Sequence, residues 1–118
     1  MADVITYGAL DVLTGILDDE SWEIGWGTGA AVAARADTTL SSEATEDRVS
    51  ATLTRETQSQ TNDTLVCAGT MTCNATAKTI TNAGILTAAG TLILHTSFTG
   101  IPVVEGDTLA FVFKWRMK

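Results

Sequence analysis

Between residues 107 and 117, large apolar side chains fall on every second position. Leu109, Phe111, Phe113, Trp115 and Met117 alternate with Thr108, Ala110, Val112, Lys114 and Arg116. A period of two is the mark of a strand with one face on a core. Because each large apolar side chain contributes about 1.5–3 kcal/mol on burial, this segment is the expected central strand, with Leu109, Phe111 and Phe113 buried. The same alternation, less pronounced, marks 21–26 (Trp22, Ile24, Trp26), 47–55 (Val49, Ala51, Leu53), 64–73 (Leu65, Cys67, Gly69, Met71, Cys73) and 91–98 (Leu92, Leu94, Phe98). Shorter strand pieces are expected at 78–81 and 84–87, interrupted at Asn82-Ala83. The polar run 58–63 joins 47–55 to 64–73 as an antiparallel pair, and Gly100-Ile101-Pro102 should end the strand that starts at 91.

Only residues 6–17 change period. Tyr7, Leu10, Thr14 and Leu17 follow one helical row, with Ala9, Val12, Leu13 and Ile16 beside it, so a short amphipathic helix capped by Thr6 is expected. It ends at Asp18-Asp19-Glu20, read as a solvated turn because carboxylates oppose the dipole at a helix C-terminus. Residues 30–38 read as a surface loop, followed by one helical turn at 39–43. The resulting fold class is mainly β: a single domain, 1–118, forming a β-sandwich or jelly-roll-like barrel of seven or eight strands with a short N-terminal arm and helix. A chain of 118 residues is long enough to bury its own core without staples.

The formal net charge of −7 argues against nucleic acid, whose phosphates call for clustered Lys and Arg, and against an anionic membrane surface. With no basic leader and no apolar run near 20 residues, a soluble, unprocessed protein is expected, and the sequons at Asn62 and Asn74 are read as chance. Cys67 and Cys73, six apart along one strand, lie about 20 Å from each other by strand geometry. They are therefore read as separate, reduced, buried residues. No metal or cofactor is expected: a C-x5-C pair beside a single histidine makes no zinc site, and Gly27-Thr28-Gly29 lacks the Lys-Ser/Thr of a phosphate loop. His95 falls on the opposite parity to Leu92, Leu94 and Phe98, which turns it toward solvent or a partner. Glu43, Glu46 and Asp47 read as a solvated cluster, and no catalytic or enzymatic constellation is expected. Trp22 and Trp26 either pack in the core or form an aromatic anchor for a partner.

The order of segments resembles small structural proteins of tailed bacteriophages. The pieces that carry it are Tyr7-Gly8-Ala9-Leu10-Asp11-Val12-Leu13, Ile24-Gly25-Trp26-Gly27-Thr28-Gly29, Asp37-Thr38-Thr39-Leu40-Ser41-Ser42-Glu43, Thr61-Asn62-Asp63-Thr64, Ile80-Thr81-Asn82-Ala83-Gly84-Ile85 and Val104-Glu105-Gly106-Asp107-Thr108-Leu109. The usual pattern has an acidic residue before Ala83-Gly84, where this chain has Asn82. The resemblance implies a virion protein, made in the host cytoplasm, that binds the major capsid protein as a decoration (cement) protein and self-associates as a homotrimer. Its alternative is a tail-fibre or collar attachment, receptor-binding protein; a fibre needs a shaft, and nothing in the sequence supplies one. Candidate interface residues are Val4 and Ile5 of the apolar arm, residues 1–5, with Trp22, Trp26 and the loop 30–38.

Overall fold

The computed structural model describes residues 3–117. Helix α1 (Tyr7–Leu17) is followed by β1 (Trp22–Gly27), β2 (Val49–Ser50), β3 (Thr52–Glu56), β4 (Thr64–Thr72), β5 (Lys78–Thr87), β6 (Leu92–Val103) and β7 (Thr108–Arg116). The strands form two antiparallel sheets, of order β2-β1-β5-β6 and β3-β4-β7. The mainly β class with one N-terminal helix is thus the observed one, with two separate sheets in place of a closed barrel. Two compact units are distinguished: one holds α1, Thr52–Ala68 and the chain from Val112, the other Ser21–Ala51 and Gly69–Phe111.

In the second unit β1 and β5 are the interior strands, paired from Trp22↔Thr87 to Gly27↔Asn82. Trp22, Ile24, Trp26, Ile80, Ala83 and Ile85 are buried. Ile24 packs on Gly69 of β4, and Trp26 meets Phe111 of β7 edge-on at 6.4 Å, so this unit has the two layers of a sandwich. On the outer face of the four-stranded sheet, Gly25 and Gly84 stand opposite each other. A Cβ on either would lie within 3 Å of the buried Leu40 side chain, which occupies the bare backbone the two glycines leave.

Several expected boundaries move. Residues 47–55 are two strands, because the chain changes sheets at Ala51: β2 joins β1 and β3 joins β4, Thr52↔Ala68 to Glu56↔Thr64. Asn82-Ala83 does not interrupt β5, which absorbs the irregularity as a register shift between Ile80 and Asn82. Pro102 does not end β6, because β6 is an edge strand and a missing N–H is tolerated there. No helical turn forms at 39–43; Ser42 takes a left-handed φ of 48° and Glu43 bridges Gly27. β7 alternates as its sequence requires, but it lies at the edge of its sheet, and Leu109, Phe111, Phe113 and Trp115 are half-buried. Period two identifies the inward face of a strand, not its rank in the sheet.

In the first unit Leu10, Thr14, Leu65 and Cys67 are buried. The hairpin between β3 and β4 is organised by buried Asp63, whose carboxylate accepts the N–H groups of Gln58, Ser59 and Gln60 at 3.0–3.1 Å. Those donors hold its pKa well below the usual carboxylate range. Asp63→Asn should lower the denaturation midpoint and speed hydrogen exchange at these three amides; unchanged exchange there would contradict the role assigned to the carboxylate.

Candidate interaction surface

Helix α1 turns Leu10 and Thr14 inward and leaves a second, apolar row exposed. Thr6 occupies the N-cap position with extended backbone, but its side chain makes no capping bond. The inward row carries Leu10 and Thr14, and the Thr14 hydroxyl donates to the Asn62 carbonyl at 2.7 Å. From β3, Arg55 reaches Asp11 at 2.9 Å and Asp18 at 3.3 Å, and the Asn62 amide donates to Asp11 at 2.9 Å. These contacts fix which side of the helix faces the sheet. Residues 100° apart on the helical wheel place Val12, Leu13 and Ile16 on the other side, and all three are exposed. Val4 and Ile5, 80% and 65% exposed, lie against Ala9, Val12 and Leu13 along a shallow apolar depression. Met1 and Ala2 of the expected arm lie outside the described residues.

The row Ala9, Val12, Leu13 and Ile16 was visible in the sequence, yet periodicity cannot say which of two adjacent apolar rows the sheet covers. Arg55 and Asn62 decide it, because their polar contacts are with Asp11, Thr14 and Asp18. Burying a single large apolar side chain contributes about 1.5–3 kcal/mol, so Val4, Ile5, Val12, Leu13 and Ile16 together represent on the order of 10 kcal/mol of unused gross binding free energy. That is comparable with the roughly 4–15 kcal/mol that association costs.

The two tryptophans lie elsewhere. Trp22 is 6% exposed and Trp26 1%, so packing takes both and neither offers an aromatic anchor on the surface. The indole N–H of Trp26 donates to Glu46 at 3.0 Å. Glu46 is therefore not part of a solvated cluster: it is buried, pairs with Lys78 and accepts the Asn74 N–H at 3.2 Å. Burial works to raise its pKa, but Lys78, Trp26 and Asn74 outweigh it and hold the carboxyl at about 2. Glu43 binds Arg48 through two hydrogen bonds, and Asp47 is exposed.

His95 also departs from its expected position toward solvent or a partner. Its side chain is 6% exposed, with Nδ1 2.7 Å from Asp37 and Nε2 3.0 Å from the Asn82 amide oxygen. Asn82 in turn exchanges two hydrogen bonds with the Ser41 backbone. The parity that turns His95 away from Leu92 and Leu94 directs it to the outer sheet face, where Asp37, Leu40 and Ser41 lie. The Ala34 N–H and His95 keep the Asp37 carboxyl low. This chain of contacts fastens the loop to β5 and β6. Nothing short of the fold reveals it, since Ser41 and Asn82 are 41 residues apart and Asp37 and His95 are 58 apart.

Cys67 and Cys73 are free and buried, and burial pushes the Cys67 thiol up to about 11, away from the reactive thiolate. Among the described residues no helix is long and apolar enough to cross a membrane, and no three His, Cys, Asp or Glu side chains are grouped to hold a metal. Fold and surface together define a mainly β protein that carries an outward apolar face on its N-terminal helix. No family model matches the chain, and no curated protein or solved structure matches it.

Proposed function

We propose that this chain is a capsid decoration (cement) protein of a tailed bacteriophage, a non-enzymatic virion component that binds the major capsid protein and stabilises the shell. The observation that carries the proposal is the outward apolar face of α1 with Val4 and Ile5, a surface whose exposure is explained if a partner covers it. The order of the quoted segments, which resembles phage structural proteins, supports the same reading. Self-association as a homotrimer is part of the proposal, because several copies of one modest contact reach high avidity around a symmetry axis.

The test is co-sedimentation of the full chain with capsids lacking decoration protein, with isolated tails as the second target. Saturable binding to capsids is expected, and removal of residues 1–5 should weaken it while leaving the circular dichroism spectrum unchanged. Binding to tails alone would replace this proposal with the tail-fibre or collar reading. Binding to neither would end both.

A further inference from the structure

Resting on the decoration reading, we infer that the surface received by α1 is an apolar groove rimmed by Lys and Arg on the partner protein, and is not α1 of a second copy. The first twenty residues hold five acidic side chains (Asp3, Asp11, Asp18, Asp19, Glu20) and no Lys or Arg, whereas the rest of the chain is nearly balanced at nine acidic to seven basic. Arg55 pairs with Asp11 and Asp18. Asp3 remains exposed ahead of α1, and Asp19 and Glu20 remain exposed just beyond its last turn. The apolar face of Val12, Leu13 and Ile16 therefore runs between acidic side chains at both ends.

The exposed side-chain charges of that arrangement disfavour pairing with itself in either direction. Two copies packed parallel bring Asp3 to Asp3 and Glu20 to Glu20; packed antiparallel, they bring Asp3 to Asp19 and Glu20. Like charges meet in both cases. The helix adds to the asymmetry, because its last turn has no basic residue and the dipole contributes further negative potential where Asp19 and Glu20 stand. A cationic partner side chain placed there meets two carboxylates and the helix C-terminus together, while an apolar groove about 16 Å long accommodates the eleven-residue helix.

The test uses the full chain and decoration-free capsids across a salt series. Wild type should bind, with affinity falling as salt rises. The double substitution Asp19→Lys, Glu20→Lys should weaken low-salt binding about tenfold or more and flatten the salt dependence. Both side chains are exposed, and lysine at a helix C-terminus favours the helix, so misfolding does not account for that loss. Ile16→Asp should reduce capsid binding while leaving the sedimentation coefficient of the free protein unchanged. Salt-independent binding by the wild type, or full binding by the lysine variant, overturns the basic rim. A free oligomer dissolved by Ile16→Asp identifies a second copy as the occupant and overturns the inference. Absence of wild-type binding to capsids at any salt overturns the decoration reading, and the inference with it.

Discussion

Trp26→Ala should destabilise the protein by about 3–5 kcal/mol, the range for truncating a large buried aromatic. Trp26 sits on β1, one of the two interior strands of the four-stranded sheet, opposite Ala83 of β5, and its ring meets Phe111 at an interplanar angle of 83°. The small Ala83 side chain cannot fill the space that truncation opens. The substitution also removes the indole N–H that Glu46 accepts, so a cavity and a weakened buried carboxylate are produced together. Against a typical total stability of about 5–15 kcal/mol, the variant is expected to be marginal at 37 °C. Trp26→Phe keeps most of the volume and should fold with a smaller loss. Phe111→Ala, at a half-buried position on an edge strand, should also cost less than Trp26→Ala. Urea denaturation of the three variants checks the order; a Trp26→Ala midpoint equal to that of the wild type would contradict the placement of the core.

Glu46→Ala should be the next most damaging change, at about 3 kcal/mol. Removing one partner of a buried ion pair costs about 3–5 kcal/mol because the other charge is left uncompensated. The lower end applies because the Lys78 side chain keeps 15% of its exposure and can recruit some water. The same carboxylate sets a pH dependence. Its pKa in the fold, about 2, lies below the ordinary 4.5, so the unfolded chain binds the proton more readily. The contribution of Glu46 is therefore complete above about pH 4.5 and is lost as pH falls toward 2. Asp63 and Asp37, both also lowered, act in the same direction. Glu46→Gln should flatten the part of the acid limb that Glu46 supplies. Equal slopes for wild type and Glu46→Gln between pH 4.5 and 2 would show that Glu46 is not ionised and paired in the fold.

The sequence made strands and helix legible because alternation and the 3.6-residue period are local. Trp22, Ile24 and Trp26, Leu65 and Cys67, and the α1 row of Leu10 and Thr14 all face inward as their spacing requires. What stayed hidden depends on neighbours distant in the chain. The rank of β7 at a sheet edge, the tolerance of Pro102 on β6 and the sheet change at Ala51 are properties of pairing, which a single strand does not encode. Asn82 reads as a strand breaker by composition, yet in the fold its amide is consumed by Ser41 and His95. Glu46 reads as solvated because its neighbours in sequence are polar, while its partners Trp26 and Lys78 come from β1 and β5. Of the candidate interface residues, Val4 and Ile5 are on the surface and Trp22 and Trp26 are not. A strand alternating Trp, Ile and Trp cannot by itself reveal which sheet face is covered.

A decoration protein stabilises a shell by linkage: it binds the assembled lattice more tightly than its dissociated parts, and each occupied site adds free energy to the assembled state in proportion to RT ln(1 + [L]/Kd). The most direct measurement is the heat-disruption midpoint of decoration-free capsids titrated with the purified chain. The midpoint is expected to rise with added protein and to level off once the sites are filled, with a smaller rise for the Asp19→Lys, Glu20→Lys variant at the same concentration. A midpoint unchanged at saturating protein would contradict the decoration reading.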